Sequence, residues 1–358
     1  MNTPTSNRLR VGVLTGGGDC PGLNAVIRAV TRSLIRDCQA QVLGFEDGFA
    51  GLGENRVRPL DWQSVGEILA MGGTVLGTSN RANPLASPEA TQRVLDTVTM
   101  HQLDAIVAIG GDGTMSISAG LAKHGLQIVG VPKTIDNDIE GCERSFGFDT
   151  AVAVVTDALE RLHTTGQSHG RTMILETMGR YSGWIALEAG IAGSADVILL
   201  PEFDYQVEEV ARICRERERQ KLATLICVAE GAKAVGGELT VAKRIDNSPD
   251  PLRLGGVAHV LQSQLQPLLD HEVRATVLGH VQRGGSPTPF DRVLATQFGV
   301  EAAALVERRE FGRLVTLVNG QMNSIPLGAV AGRNRKVPHN HPLVLTASQV
   351  GISFGQPI

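Results

Sequence analysis

The sequence predicts an α/β protein with doubly wound, mostly parallel sheets. Short apolar runs alternate along the chain with segments of helical periodicity, as in proteins whose parallel strands are joined by crossover helices. Glycine-rich turns that contain Asp follow several of these runs, and Gly contributes 42 of the 358 residues. Such turns let the backbone approach a ligand closely, and open α/β sheets bind ligands at the carboxyl ends of their strands.

The first block of alternating elements runs to residue 147. Strands are predicted at 10–15, 42–45, 105–109 and 127–131, and helices at 24–35, 64–71, 88–100 and 114–123. Three of these strands run directly into polar turns that carry Asp. We therefore expect the three turns to meet at the carboxyl edge of one sheet.

A second block of the same kind follows. Strands are predicted at 171–176, 197–200, 223–228 and 273–278, and helices at 148–165, 183–192, 207–220, 256–269 and 290–309. The polar segment 235–254 is expected to be an exposed excursion. The tail from Leu314 is expected to hold two short strands and a small helix at 343–350.

The composition indicates a well-cored protein and excludes several functional classes. Hydrophobic residues make up 42%, charged residues 20% and aromatic residues 4%, and the formal net charge is −4. This charge gives no general attraction to nucleic acid or to a membrane. No apolar run approaches the about 20 residues of a membrane helix. Length alone suggests roughly two or three domains.

Cysteine usage and the first residues point to a reducing compartment. The five Cys residues are far apart and lack CxxC spacing, so we expect reduced, mostly buried thiols. The first ten residues are polar without an apolar core, so we expect no secretory signal. We expect a cytoplasmic protein without a nucleic-acid or membrane partner.

The stretch Pro132-Lys-Thr-Ile-Asp-Asn-Asp138 is the strongest candidate for chemistry. It follows a predicted buried strand and places two carboxylates two residues apart, with a lysine nearby. Phosphoryl transfer needs one carboxylate to accept a proton, another to hold a metal ion, and a cation for phosphate oxygens. The alternative is a polar loop whose Asp side chains bond their own backbone or cap a helix.

Two glycine-rich turns add a second candidate feature. Gly16-Gly-Gly-Asp-Cys-Pro-Gly22 and Gly110-Gly-Asp-Gly-Thr114 each follow a predicted strand and precede a predicted helix. A turn of this kind offers backbone N–H groups to an anion. The first turn matches neither of the two commonest nucleotide fingerprints, so by itself it is a weak signal.

Five motifs in order give the sequence a specific resemblance. These are Gly16–Asn24, Gly110–Thr114, Pro132–Asp138, Met178-Gly-Arg180 and Gly279-His-Val-Gln-Arg-Gly-Gly-Ser-Pro287. Together they closely resemble the phosphofructokinase family, which makes fructose 1,6-bisphosphate in glycolysis. The resemblance runs from about Val11 to about Arg309. It implies two similar three-layer Rossmann-like domains: 1–147 plus about 282–332 for the phosphoryl donor, and 148–281 plus about 333–358 for fructose 6-phosphate.

The resemblance assigns catalytic roles to matching residues. It makes Asp136 the base that accepts the proton of the sugar 1-hydroxyl, with Thr134, Arg180 and the Gly16 N–H stabilising the transferred group. It makes Asp112 and Asp138 the partners of Mg²⁺. The residues implied on the donor side are Gly16, Arg81, Gly110, Asp112, Gly113, Thr114 and Lys133.

The sugar-phosphate site is implied in the same way. Its residues are Arg171, Met178, Gly179, Glu230, Arg274, His280 and Arg283. In the family, the residues matching Arg171 and Arg274 come from a neighbouring subunit. The resemblance therefore implies at least a dimer with shared sites, and a homotetramer is expected.

Two positions bear on the phosphoryl donor. Pyrophosphate-dependent members of the family usually carry Asp where this chain has Gly113, and ATP-dependent bacterial members usually carry Gly where it has Lys133. The small residue leaves room for a nucleotide, while the lysine adds charge beside the transferred phosphate. We favour ATP because steric clearance is the stronger criterion, and ADP and pyrophosphate stay open.

A regulatory site is also implied. Arg28 and Arg32 match basic residues of the bacterial family's effector site, and Asp196 stands where a metal-binding acid is usual. The pair Asp61-Trp62 and the segment 235–254 depart from that pattern. Ordinary solvated helix arginines are the alternative.

Two other functions are compatible with parts of the sequence. An NAD kinase or lipid kinase would explain Gly110–Thr114 but not Lys133–Asp138 or the cluster of His280 and Arg283. A nucleotide-sensing regulatory subunit without catalysis would be expected to lack the base, whereas Asp136 is present.

Overall fold

The structure, a computed structural model, describes residues 8–244, 252–330 and 332–357. These residues divide into two compact units. The first holds the described residues before Asp136, Ile139–Gly147 and Arg283–Arg333; the second holds Asp136–Asp138, Phe148–Gln282 and the described residues from Asn334 onward. The sequence assigned residues 136–138 to the first domain. They pack instead with the second unit, because their backbone carbonyls accept hydrogen bonds from it.

Strands and helices alternate along the first 147 residues. In order they are β1 (Arg10–Gly16), α1 (Leu23–Cys38), β2 (Gln41–Phe45), α2 (Phe49–Glu54), β3 (Val57–Leu60), α3 (Pro88–Met100), β4 (Ala105–Gly110), α4 (Asp112–Ala122) and β5 (Ile128–Pro132).

The rest of the chain continues the alternation. In order the elements are α5 (Phe148–His169), β6 (Thr172–Thr177), α6 (Trp184–Ala192), β7 (Val197–Leu199), α7 (Val207–Arg219), β8 (Thr224–Ala229), β9 (Val241–Arg244), β10 (Leu252–Leu254), α8 (Val257–Leu265), β11 (Val273–Val277), α9 (Pro289–Glu307), β12 (Arg313–Val318), β13 (Gln321–Pro326) and α10 (Pro342–Gln349). No helix in these described stretches combines the length and the apolar character needed to cross a bilayer.

In the described residues, the first unit is built on a seven-stranded sheet with the order β13-β12-β5-β4-β1-β2-β3. The five inner strands are parallel to one another, and the edge strands β3 and β13 are antiparallel to β2 and β12. Strand β4 is buried along its whole length, as expected for a parallel strand covered on both faces. The order places β1, β4 and β5 side by side, so the turns after them meet at one edge.

The second unit contains a parallel four-stranded sheet with the order β11-β6-β8-β7. Its core joins strand residues such as Ile174 and Ile226 to helix residues such as Val210 and Leu261, all of them buried. These two sheets confirm the predicted α/β class. That prediction rested on glycine-rich turns and continuous apolar strands. Both features accompany parallel strands and can be recognised within short segments of the sequence.

The structure differs from the prediction in several segments, among them α2 and β3, for which no element was predicted. The predicted helix at 64–71 is only a 3₁₀ turn at Ile68–Ala70, because Asp61 and Ser64 exchange hydrogen bonds and Gly66 breaks the helical run. The predicted excursion at 235–254 contains an antiparallel ribbon of β9 and β10. Residues 245–251 of it lie outside the described residues.

Candidate active site

The carboxyl ends of β1 and β4 meet at two glycines that face one threonine. The parallel register pairs Gly16 with Gly110. A Cβ on either glycine would lie within 3.0 Å of the buried Thr114 hydroxyl, closer than real Cβ atoms approach. Both positions therefore require glycine. The strand edge stays free of side chains there, which lets a ligand approach the backbone.

Helix α4 begins immediately beyond this edge. Its first residue is Asp112, whose Oδ1 accepts a hydrogen bond from the Gly332 N–H at 2.7 Å. A Cβ on the next residue, Gly113, would meet no heavy atom within 4 Å. The amino end of a helix carries partial positive charge and favours anions. Gly110, Asp112, Gly113 and Thr114 thus lie together at an edge suited to phosphate.

Two cations flank the glycine turn that follows β1. The Lys133 side chain is 4% exposed, and its ammonium donates a hydrogen bond to the Gly18 carbonyl. Its backbone N–H donates to the Gly110 carbonyl at 2.9 Å. Arg283 donates to the Asp19 carbonyl at 3.2 Å. The sequence grouped Arg283 with the sugar-phosphate residues, whereas these contacts place it beside the glycine turn of the first unit.

The same turn borders a polar cavity of about 480 Å³. Arg81 and Ser79 line the cavity together with Gly17. On its other side Arg56 and Asp47 form an ion pair at 2.5 Å. The lining is polar and charged, so it suits a polar ligand rather than an apolar one.

Residues Thr134 to Asp138 form a loop held by its carbonyls. The Thr134 carbonyl accepts a hydrogen bond from Ser145 Oγ at 2.8 Å, within the first unit. The Asp136 carbonyl accepts one from Ser182 Oγ at 3.3 Å, within the second unit. Asn137 has a left-handed backbone with φ 52°, which non-glycine residues adopt at some energetic cost.

The carboxyl end of β6 carries the predicted triplet Met178, Gly179 and Arg180. The Met178 N–H donates to the amide oxygen of Gln282 at 3.2 Å, and Gln282 donates to the Gly279 carbonyl at 3.0 Å. The buried Gln282 side chain therefore ties the triplet to the 3₁₀ turn Gly279–Arg283, which contains the exposed His280.

Strand β8 supplies the remaining residue of this edge. The Glu230 N–H donates to the Thr177 carbonyl at 2.9 Å, and the Gly231 N–H donates to the Gly179 carbonyl at 3.1 Å. A Cβ on Gly231 would collide with the Arg180 carbonyl. The Arg180 guanidinium lies 4.9 Å over the Tyr181 ring. Met178, Gly179, Arg180, Glu230 and His280 are thus brought to one edge of the second sheet.

Arg171 and Arg274 lie at the opposite edge of that sheet. Arg171 directly precedes β6, and Arg274 is the second residue of β11, which is parallel to β6. The six residues of β6 span roughly 20 Å at about 3.3 Å per residue. Within one copy, these two arginines therefore lie too far from the triplet after β6 to contact the same small ligand.

A carboxylate holds both arginines. Glu272 pairs with Arg171 at 2.7 Å through one oxygen and with Arg274 through the other. Glu272 stands two residues before Arg274 and so shares its side of the strand. That alternation was visible in the sequence, which nevertheless gave Glu272 no role. The carboxylate balances part of the positive charge and orients both guanidinium groups.

The three suspected effector residues lie in different surroundings. Arg32 stacks over the Trp62 ring at 4.5 Å, and burial together with Arg32 lowers the pKa of Arg28. In the second unit Asp196 pairs with Arg217 at 2.9 Å and accepts the Leu225 N–H at 2.8 Å. Burial raises the pKa of Asp196 despite these partners.

The cysteines offer no nucleophile among the described residues. All five are free thiols. Burial raises the pKa of Cys20, beside the glycine turn, to about 12, and does the same for Cys227. A thiol with so high a pKa stays protonated at neutral pH and reacts poorly. The chemistry of the site therefore rests on carboxylates, cations and backbone.

Comparison with known proteins places this arrangement in a family. A family model described as Phosphofructokinase matches residues 10–306. A protein of Clostridium perfringens named ATP-dependent 6-phosphofructokinase 2 is 46% identical, over 96% of this chain and 98% of its own. One of Chloroflexus aurantiacus named ATP-dependent 6-phosphofructokinase is 45% identical, over 99% of each chain. One of Streptomyces coelicolor named pyrophosphate–fructose 6-phosphate 1-phosphotransferase is 44% identical, over 97% of this chain and 100% of its own.

Solved structures give the same result. Phosphofructokinase from Saccharomyces cerevisiae superposes with a TM-score of 0.78 at 29% identity, over 90% of this chain and 45% of that one. This chain therefore spans less than half of the yeast chain. The pyrophosphate-dependent phosphofructokinase from Marinobacter aquaeolei, at 19% identity, shares the fold with a TM-score of 0.81, over 96% of this chain and 92% of that one. The chain belongs to the phosphofructokinase family.

Proposed function

We propose that this protein is an ATP-dependent 6-phosphofructokinase, which transfers the γ-phosphoryl group of ATP to the 1-hydroxyl of fructose 6-phosphate. The main support is the strand edge where Gly16 and Gly110 leave the backbone bare beside the amino end of α4. That edge suits a polyphosphate, and full-length relatives at 45% and 46% identity carry this activity in their names.

The choice of ATP as donor rests on Gly113, whereas Lys133 is the residue that pyrophosphate-dependent members carry. A Cβ on Gly113 would meet no heavy atom within 4 Å, which supports room for a nucleotide at this position. The Lys133 ammonium is bonded to the Gly18 carbonyl, which places its charge at the glycine turn. ADP and pyrophosphate are the alternative donors, and a 44% identical relative is named for pyrophosphate.

The transfer step needs a base and a charge-stabilising shell. Asp136 takes the proton from the sugar 1-hydroxyl, the hydroxyl oxygen attacks the γ-phosphorus, and ADP leaves with the bridging oxygen. Thr134, Arg180 and the Gly16 N–H stabilise the charge on the transferred group. Asp136 is the residue that a non-catalytic, nucleotide-sensing relative would be expected to have lost.

The proposed phosphoryl transfer needs a divalent metal ion, and Mg²⁺ is the proposed one. No group of three or more potential ligands that could hold a metal occurs within the residues the structure describes. Mg²⁺ suits such a site, because it binds through one or two carboxylates and takes its other ligands from phosphate oxygens and water. Asp112 and Asp138 are the carboxylates that would hold it. When bound, the ion neutralises charge on the donor phosphates.

The acceptor site is shared between copies of the chain. The sugar bound in one copy contacts that copy's Met178, Gly179, Glu230 and His280. Arg283 adds charge beside the glycine turn. Arg171 and Arg274 lie roughly 20 Å away along β6. They bind the 6-phosphate of the sugar that sits in the site of a neighbouring copy. We therefore expect a homo-oligomer of at least two copies, with a tetramer as the working assignment.

We also propose an effector site and a cytoplasmic location for this protein. Arg28 and Arg32 are proposed to bind a phosphate-type effector at a subunit interface, where Asp196 would hold a metal ion. The Nε atoms of both arginines are buried, and none of the described residues accepts a hydrogen bond from them. The reaction is assigned to the cytoplasm, as one step of glycolysis.

A donor panel tests the proposed function. The purified protein is assayed with fructose 6-phosphate and Mg²⁺ against ATP, ADP and pyrophosphate in turn, by following fructose 1,6-bisphosphate. We expect ATP to give the highest kcat/KM. Activity with pyrophosphate alone would replace the donor, and the absence of transfer from all three would favour the regulatory alternative.

A further inference from the structure

The segment Asn334–His341, called here the strap, packs inside the second unit against the residues that carry the proposed base. Arg335 makes the principal contacts. Its backbone N–H donates to the Asp138 carbonyl at 2.7 Å, and its Nη1–H donates to the Asn137 carbonyl at 3.2 Å. Ser182 Oγ holds the Asp136 carbonyl. Three consecutive carbonyls of one loop are thus each bonded to a donor of the second unit.

The guanidinium of Arg335 is itself held in place. It lies 4.1 Å over the ring of Trp184, which is 2% exposed, and the indole N–H donates to the Arg335 carbonyl at 3.2 Å. The edge of His341 packs against the same ring at 4.9 Å. A planar cation stacked on a buried indole has few orientations available, so its hydrogen bond points in a defined direction.

The carboxylate of Glu202 also holds the strap. Glu202 Oε1 accepts the Val337 N–H of the strap at 2.8 Å and the Gly183 N–H at the start of α6 at 3.1 Å. Gly183 directly precedes Trp184. The carboxylate therefore joins the strap to the helix that carries the indole.

The loop needs such support because of its own conformation. Asn137 has φ 52°, and its side chain is 2% exposed. A left-handed residue returns to a commoner conformation unless its surroundings hold it. If the loop relaxed, Asp136 and Asp138 on either side of it would shift. A general base must stay within hydrogen-bond reach of its proton, and a displacement of about 1 Å can cost about a hundredfold in rate.

We propose that Arg335 is a positioning residue for phosphoryl transfer, which holds the loop of Asp136 and Asp138 through the carbonyls of Asn137 and Asp138. The inference rests on the proposed function of the two carboxylates. Arg335 does not need to touch either substrate. It acts by keeping the base and the proposed metal ligand in place.

The test compares Arg335→Ala with Arg335→Lys and a matched control, Arg212→Ala. The Ala variant keeps the backbone hydrogen bond and loses the side chain beyond Cβ, including the guanidinium. The control removes another guanidinium of the second unit, one paired with Glu209 and Glu216 on α7. Three kinds of measurement are made. Steady-state kinetics give kcat and both KM values, a melting curve gives the melting temperature, and amide hydrogen exchange is followed in a peptide covering residues 136–138.

We expect Arg335→Ala to lower kcat by about ten- to a hundredfold, with both KM values within about threefold of the wild type. Exchange at residues 136–138 should accelerate while the rest of the second unit stays protected. Added guanidinium should restore part of the kcat of the Ala variant, because it can stack on Trp184. Arg335→Lys should fall between, and Arg212→Ala should behave as the wild type.

Other outcomes overturn the proposal. An unchanged kcat in Arg335→Ala excludes a positioning role, and so does a loss of kcat without faster exchange at the loop. If the Ala variant does not fold, Arg335→Lys and Ser182→Ala give the same readouts. Failure of the proposed function is distinguishable: a wild-type protein without transfer activity contradicts that function, while loop exchange still decides whether Arg335 holds the loop.

Discussion

The ligand edges of the two sheets are built from different materials. In the first unit the edge is backbone: Gly16 and Gly110 lie against Thr114, and the cations Lys133 and Arg283 bond to carbonyls of the glycine turn. In the second unit the edge carries the side chains of Met178, Arg180, Glu230 and His280, and the Gln282 side chain holds the backbone there through the Met178 N–H and the Gly279 carbonyl. A backbone edge admits a phosphate chain closely and tolerates no bulk. A side-chain edge distinguishes ligands by charge.

The largest effect is expected from Asp136→Asn. The amide keeps the shape of the side chain and cannot accept the proton, so kcat should fall by about 10²–10⁴-fold. The loop is held by its carbonyls, so the melting temperature should change little. Steady-state kinetics and calorimetry measure both. The control Asp157→Asn removes a surface carboxylate paired with Arg161, and equal losses in the two variants would contradict the assigned base.

Gly113→Asp should change the donor rather than the acceptor. The position is open, so the side chain fits, but its charge would oppose a nucleotide phosphate. We expect kcat/KM for ATP to fall about a hundredfold, with the KM for fructose 6-phosphate nearly unchanged. Gly113→Asn, which has the same size without the charge, separates repulsion from bulk. A full loss in the Asn variant would make bulk the cause.

Arg171→Ala should raise the KM for fructose 6-phosphate about ten- to a hundredfold, because a charge-assisted hydrogen bond to phosphate is lost. The kcat should stay close to that of the wild type. Mixing this variant with Asp136→Asn tests the shared site directly. In a mixed oligomer some sites combine an intact Asp136 with an intact Arg171 from the other copy, so tight binding and turnover should partly return. No recovery after verified subunit exchange would place both residues in one copy's site.

Gly110→Ala probes the backbone edge. Its Cβ would collide with Thr114, so we expect a loss of about 1–3 kcal/mol in the free energy of unfolding and about tenfold in kcat/KM for ATP. Gly328→Ala is the matched control, because a Cβ there meets nothing within 4 Å. Denaturant unfolding and donor kinetics give the readouts. Tolerance of Gly110→Ala would mean that Thr114 can move aside.

The smallest expected effect is the contribution of Glu202 to the pH dependence of stability. Burial raises its pKa, although the N–H groups of Val337 and Gly183 and the charge of Lys336 oppose the rise. The native state therefore binds the proton more tightly than the unfolded chain, so this group's contribution to stability falls as pH rises from about 4.3 through the raised native pKa. Glu202→Gln should remove that slope and raise Tm at pH 7 by roughly a few degrees. Melting curves at pH 5 and pH 8 test this, and an unchanged slope would contradict it.

The difference between the two edges explains which site features the sequence could predict. Gly16–Gly22 and Gly110–Thr114 are contiguous, and a bare backbone turn is written in local glycine spacing. Glu272 was within reach of the same reasoning, since strand alternation pairs it with Arg274. Arg335 was not, because it bonds to Asn137 across 198 positions of the chain. Nothing in its own neighbourhood indicates that partner.

The sequence by itself determined the α/β class and the family, because buried strands, glycine turns and ordered motifs are properties of short contiguous segments. Only the tertiary structure decided that residues 136–138 pack with the second unit and that Arg283 lies at the glycine turn. It also showed that Glu272 and Arg274 lie beside Arg171, because β11 pairs with β6. These are choices between partners far apart in the chain, and only packing and hydrogen bonding select among them.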